Sequence, residues 1–137
     1  MQKLGIYILA TIISFIGGIY AFVFTFNLLG YSLSNGDIGF LVVWISPAFL
    51  ITIPLYLLVI NEIDEKFNKL KFILYPLCCM LLFILPSFVI VLFLGGAQFF
   101  LPESISIYSL FITAGLIFGT CNWIIKKLFS KNDLNKN

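Results

Sequence analysis

Long apolar stretches separated by short polar ones dominate the pattern of side chains along this chain. There are four apolar stretches, at positions 4–29, 40–60, 72–95 and 108–125, and none of them contains a charged residue. A helix needs about 20 apolar residues to cross roughly 30 Å of hydrocarbon, and lipid leaves backbone polar groups no partner outside the protein. The stretches also lack the alternation of barrel strands. The pattern predicts an all-α fold: one integral membrane domain over residues 1–137, a four-transmembrane-helix bundle built from two helical hairpins.

The lysines predict how this bundle is oriented. All eight lie in three places: at Lys3, in the central polar segment 61–71, and in a short basic tail at 126–137. The two remaining connections carry only the acidic residues Asp37 and Glu103. Because cytoplasmic loops keep an excess of Lys and Arg, we expect both the N and the C terminus to be cytoplasmic. The expected location is the inner or plasma membrane of the cell.

Composition excludes much chemistry. The chain is 61% hydrophobic and 10% charged, and it contains neither Arg nor His. It therefore lacks the residue best suited to clamp phosphates and the usual general base or metal ligand near neutral pH. Cys78, Cys79 and Cys121 all fall in apolar stretches and are expected to be small buried side chains. We expect no catalytic site, no cofactor, no metal and no nucleic-acid partner, since orientation and anionic lipid explain the net charge of +2.

Small side chains recur at helical spacing in the first and last apolar stretches. Residues three or four apart share one face of a helix, and small residues on that face allow another helix to approach closely. The last stretch contains a G-x-x-x-G motif with an asparagine on the same face. The predicted helix-packing residues are Ala10, Ser14, Gly17, Gly18, Ala21, Gly115, Gly119 and Asn122.

Prolines and hydroxyl residues mark the two middle stretches. Pro47 and Pro54 are seven residues apart, which places them on one face of a helix that we expect to be bent. The hydroxyls in these stretches either bond back to their own helix or line a route for a solute. The candidate polar pathway consists of Ser46, Thr52 and Ser87.

Aromatic residues near the ends of the stretches predict two belts at the membrane surfaces. The predicted inner belt consists of Tyr7, Tyr56, Tyr75 and Trp123.

Two classes of function fit this pattern. The first is a small multi-pass membrane protein that acts by helix–helix interaction with another membrane protein, either an immunity protein against a pore-forming toxin or an accessory subunit of a membrane complex. The second is a small oligomeric transporter or channel for a neutral or lipid-like solute. In size and topology this Lys-, Ile- and Phe-rich chain resembles the immunity proteins of some pore-forming bacteriocins. The expected partners are the lipid bilayer and either a second membrane protein or further copies of the chain.

Overall fold

The computed structural model of the protein describes residues 2–66, 70–94 and 99–134. They form four helices: α1 (Gln2–Leu28), α2 (Asn35–Lys66), α3 (Lys71–Leu94) and α4 (Pro102–Leu134). Each of them contains a stretch long and apolar enough to cross a membrane. Within the described residues, the prediction of an all-helical chain with four candidate membrane spans is confirmed.

Two of the helices, α2 and α4, extend well beyond the apolar stretches that predict them. α2 continues to Lys66, so the central polar segment begins as an extension of a membrane helix. α4 begins at Pro102, six residues before the predicted position, because proline is well suited to the first helical position and Glu103 favours the first turn. α4 also continues through much of the basic tail to Leu134. Residues 135–137 of that tail lie outside the described residues.

α4 is the central element of the bundle. It packs against both α1 and α3, while α2 packs against α3. In α1 the buried residues recur every fourth position, at Ala10, Ser14, Gly18, Phe22 and Phe26. Such a stripe follows the i±4 row of side chains, one of the ridges that pack into the grooves of a neighbouring helix.

Aromatic rings fill the space between α2 and the other helices. The Phe49 ring of α2 lies 4.9 Å from Phe83 of α3 and 5.1 Å from Phe15 of α1, both in edge-on geometry, and 6.1 Å from Phe111 of α4. Edge-on ring pairs are favourable contacts in addition to the area that they bury. Rings thus join α2 to the bundle at the level of Phe49, whereas small residues join α1, α3 and α4.

The predicted inner aromatic belt is wrong for two of its members. Tyr56 and Tyr75 are fully buried inside the bundle, so neither ring faces outward as a member of a belt would. Both lie on the buried stripes of their helices, Tyr56 seven residues after Phe49 and Tyr75 four before Cys79. The belt is predicted from the distance of each ring to the end of its apolar stretch. Whether a ring meets lipid or protein depends instead on the face of the helix that carries it.

Candidate functional site

The small face of α1 lies against α4. Ala10, Ser14 and Gly18 are buried, and Gly17 and Ala21 are half-buried beside them. A Cβ atom built on Gly18 would lie 3.0 Å from the Leu110 carbonyl oxygen and 3.1 Å from the Ala114 Cβ, and one built on Gly17 would meet the end of the Ile117 side chain. These residues therefore serve a contact within the chain.

The G-x-x-x-G face of α4 lies against α3 and is tighter still. A Cβ on Gly115 would lie 2.9 Å from the Met80 Cα, and one on Gly119 would lie 2.5 Å from the Pro76 Cα. Neighbouring backbone atoms include the Tyr75 carbonyl oxygen, 2.8 Å from the Gly119 Cβ position. Real Cβ atoms do not approach backbone this closely, so only glycine permits this packing of α4 on α3.

The hydroxyls of Thr25 and Ser109 join the C-terminal part of α1 to the N-terminal part of α4. The Thr25 hydroxyl donates to the Ser109 Oγ at 2.9 Å, and the Ser109 hydroxyl is shared between the carbonyls of Ser106 at 2.8 Å and Ala21 at 3.3 Å. Sequence reasoning missed Ser109 as an interhelical residue. Its spacing offers no signal, because Ser109 lies six residues before Gly115 and therefore on a different face of α4.

The three residues of the candidate polar pathway bond within their own helices. Ser46 donates to the Val43 carbonyl at 3.2 Å, Thr52 to Ala48 at 2.6 Å and Ser87 to Ile84 at 2.6 Å. Ser14 likewise donates to Ala10 at 2.6 Å. A hydroxyl bonded in this way offers less to a passing solute. Transport between several copies of the chain stays a prediction.

Asn122 is placed differently from every one of these hydroxyls. It lies on α4 one turn after Gly119, is 1% exposed, and neither its Nδ2 nor its Oδ1 has a hydrogen-bond partner in the described part of the protein. Its side chain faces the hydroxyl of Tyr56 on α2, which is also fully buried and also unpartnered, without forming a hydrogen bond of ordinary geometry. Cys79 and Tyr75 of α3 lie within electrostatic range of the same hydroxyl.

We call Tyr56, Asn122, Cys79 and Tyr75 the polar cluster. Three helices contribute to it, and the Tyr56 ring packs edge-on against Phe118 at 5.3 Å. Buried polar atoms without partners are rare in proteins, and this sets Tyr56 and Asn122 apart from the apolar core around them. The sequence singled out Asn122 but not Tyr56, because nothing in the local pattern shows that α2 turns this tyrosine toward α4.

Cations and rings surround the end of the bundle nearest the polar cluster. The Lys126 ammonium lies 5.3 Å from the centre of the Tyr75 ring, and that of Lys127 lies 4.9 Å from the Trp123 ring. Trp123 in turn packs against Phe72 at the start of α3, 4.8 Å between ring centres. Cations over aromatic faces are mutually attractive, and this combination suits the headgroup region of a membrane.

The described residues contain no group of three or more His, Cys, Asp or Glu side chains close enough together to hold a metal ion. All three cysteines are free thiols. No family model matches the chain, and no curated protein or solved structure is significantly similar to it.

Proposed function

We propose that this small multi-pass membrane protein acts by binding another membrane protein through helix–helix contact within the bilayer. Its small-residue faces hold its own helices α1, α3 and α4 together, so we expect the partner to use a different surface. The two concrete forms of the proposal are an immunity protein that binds a pore-forming toxin and an accessory subunit of a larger membrane complex.

The observation that carries the proposal is the outward side of α2. Pro47 and Pro54 are exposed there together with Val43, Leu50 and Leu58, at a spacing of three or four residues. We call these five residues the proline face. Membrane helices tolerate proline where neighbouring groups satisfy the carbonyls that it frees. The proline face places two such carbonyls, those of Val43 and Leu50, on a side of α2 that is exposed in the described part of the protein.

Each proline of this face leaves one carbonyl of α2 without its helical N–H donor. Pro47 has no N–H for the Val43 carbonyl, and the Ser46 hydroxyl takes its place at 3.2 Å. Pro54 likewise has no N–H for the Leu50 carbonyl. Leu50 lies near the middle of the Val42–Ile60 span, where a polar atom without a partner is costly. A donor on a partner helix would satisfy this oxygen and stabilise the contact.

The test is photo-crosslinking in native membranes. A photoreactive amino acid at Leu50, which is 70% exposed, should give one discrete protein adduct, whereas the same probe at Leu85, 62% exposed on α3, should give none. Pro54→Ala, which returns an N–H to the Leu50 carbonyl, should weaken the adduct. Lipid adducts alone at both positions would refute the proposal. Identification of the adduct separates a toxin from a subunit.

We also propose that the protein lies in the inner or plasma membrane of the cell. In the proposed orientation, both termini are in the cytoplasm. Its support is the gathering of Lys71, Lys126 and Lys127 at one end of the bundle, where Phe72 packs on Trp123. A cysteine at the exposed Ser32 should react with a membrane-impermeant maleimide in intact cells, and one at Lys131 should react only after lysis. The reverse pattern would overturn the orientation.

A further inference from the structure

Two lysines near the end of α4 are held against aromatic rings of the bundle. The Lys126 ammonium lies 5.3 Å from the centre of the Tyr75 ring, and the Lys127 ammonium lies 4.9 Å from that of Trp123. Attraction between a cation and a ring face restricts the lysine side chain, whose rotamer freedom is otherwise costly to lose on binding. The two ammonium groups are therefore partly positioned before any ligand arrives.

A third lysine, Lys71, begins α3 at the same end of the bundle. Lys71 and Tyr75 are one turn apart and share a face of α3, and the Lys126 ammonium lies over that Tyr75 ring. Phe72, next to Lys71, packs against Trp123 of α4. These contacts bring three cations to one end of the seam between α3 and α4. We call Lys71, Lys126 and Lys127 the lysine cluster.

The chemistry of the lysine cluster suits a phosphate group. An ammonium group carries three N–H donors, more than one neighbouring ring can use, and lysine binds phosphate as a point charge. Basic residues that are grouped between membrane helices near a membrane surface are typical of sites for anionic lipid headgroups. Charge complementarity thus favours an anionic ligand at this end of the seam.

The surface beside the lysine cluster is apolar. Phe72 and Ile73 of α3 are exposed there, and so are Ile124 and Leu128 of α4. We call these four residues the apolar flanks. A free phosphate ion gains nothing from them, whereas the acyl chains of a phospholipid cover them and remove them from water. Cations with apolar flanks therefore favour a lipid over a soluble phosphate.

We propose that the lysine cluster binds the headgroup of an anionic phospholipid in preference to that of a zwitterionic one. The lipid phosphate lies among the ammonium groups, and its acyl chains lie along the apolar flanks. A zwitterionic headgroup carries a cation of its own, which the lysines repel, so it gains less from the same site. This inference is independent of the partner proposed above and of the side of the membrane that the lysine cluster faces.

Quenching of Trp123 fluorescence measures this preference. A Trp44→Phe background leaves Trp123 as the only tryptophan, and its ring lies beside Lys127. The full chain is placed in phosphatidylcholine vesicles that contain a minor fraction of brominated lipid. Brominated phosphatidylglycerol should quench Trp123 more strongly than the same fraction of brominated phosphatidylcholine, because it is enriched at the site. Equal quenching by the two brominated lipids would overturn the proposal.

Removal of single charges shows which lysines form the site. Lys126→Gln and Lys127→Gln should each lower the preference for phosphatidylglycerol about fivefold, which corresponds to the attraction of one lysine to an anionic surface. Lys131→Gln is the matched control, since it removes the same charge from α4 one turn beyond Lys127 and should leave the preference largely unchanged. Equal losses in all three variants would indicate an effect of net charge alone and overturn the proposal.

Ion pairs within the protein are the competing use of these lysines. Glu62, Asp64 and Glu65 precede the lysine cluster in the sequence. If they neutralise it, the unsubstituted protein should show no preference for phosphatidylglycerol at low or high salt, and this result would also overturn the proposal. A headgroup site predicts a preference that decreases as salt is added, because ions screen exposed charges.

Discussion

Gly119→Ala should weaken the bundle because it adds one methyl group where α4 touches the backbone of α3. The added Cβ would lie 2.5 Å from the Pro76 Cα and 2.8 Å from the Tyr75 carbonyl oxygen. Carbon atoms pack best at about 3.5–4.0 Å, so the two helices must separate by about 1 Å. Neither atom belongs to a flexible side chain that could turn away. The seam between α3 and α4 must therefore open.

The expected loss follows from two opposing contributions. Overpacking of a close contact costs about 1–3 kcal/mol, and replacement of a helical glycine by alanine returns up to about 1 kcal/mol of helix propensity. The net destabilisation should be about 1–2 kcal/mol. Since about 1.4 kcal/mol corresponds to a factor of ten, the folding equilibrium constant should fall by about tenfold. Gly5→Ala is the matched control, since no atom lies within 4 Å of its added Cβ. Gly17→Ala should fall between them because only the movable end of Ile117 opposes it.

The assay is reversible unfolding by sodium dodecyl sulfate in mixed micelles, followed by the fluorescence of Trp123. This ring packs against Phe72 at 4.8 Å and so reports on the same seam between α3 and α4. A Trp44→Phe background removes the other tryptophan. Equal stabilities for Gly119→Ala and Gly5→Ala would refute the close approach of α4 to α3.

The remaining predictions use the same unfolding assay. Ser109→Ala removes the hydroxyl that links α4 to α1 and should cost about 0.6 kcal/mol, the average for such bonds in membrane bundles, whereas Thr120→Ala, whose hydroxyl bonds only within α4, should cost less. Phe49→Ala empties the centre of the ring cluster, and about 24 cal/mol per Å³ over a cavity of about 100 Å³ predicts a loss of about 2 kcal/mol. Leu50→Ala, on the lipid-facing side of the same turn, should cost much less. Equal losses at Phe49 and Leu50 would contradict the described core.

The face of a helix was harder to predict than its existence. The pattern of α1 grouped the small residues Ala10, Ser14 and Gly18 on one face, because residues four apart share a face in any helix, and all three are buried. It could not assign that face to α4 rather than to a partner protein. In a bilayer, helix association lacks a hydrophobic driving force and depends on how well two surfaces fit. The α4 surface that fits α1 is built from residues about a hundred positions later in the sequence.

Asn122 also shows the difference between what the sequence pattern predicts and what the packing of the helices decides. Its polarity inside an apolar segment singled it out in the sequence, whereas its pairing with Tyr56 depends on how α2 and α4 face each other. Tyr56 was assigned to a membrane-surface belt for that reason. Local pattern carries information about depth in the membrane, but rotation about the helix axis depends on contacts with neighbours.

By itself, the sequence determined that four apolar helices are long enough to cross a membrane and that the lysines gather in three segments. Those properties follow from the thickness of the bilayer and from the cost of charge within it, and both act on each segment separately. Only the tertiary structure decided that Gly17, Gly18, Gly115 and Gly119 are used within the chain, that Pro54 lies on the outward side of α2, and that Tyr56 meets Asn122. These features depend on pairs of helices, and no single segment encodes its partner.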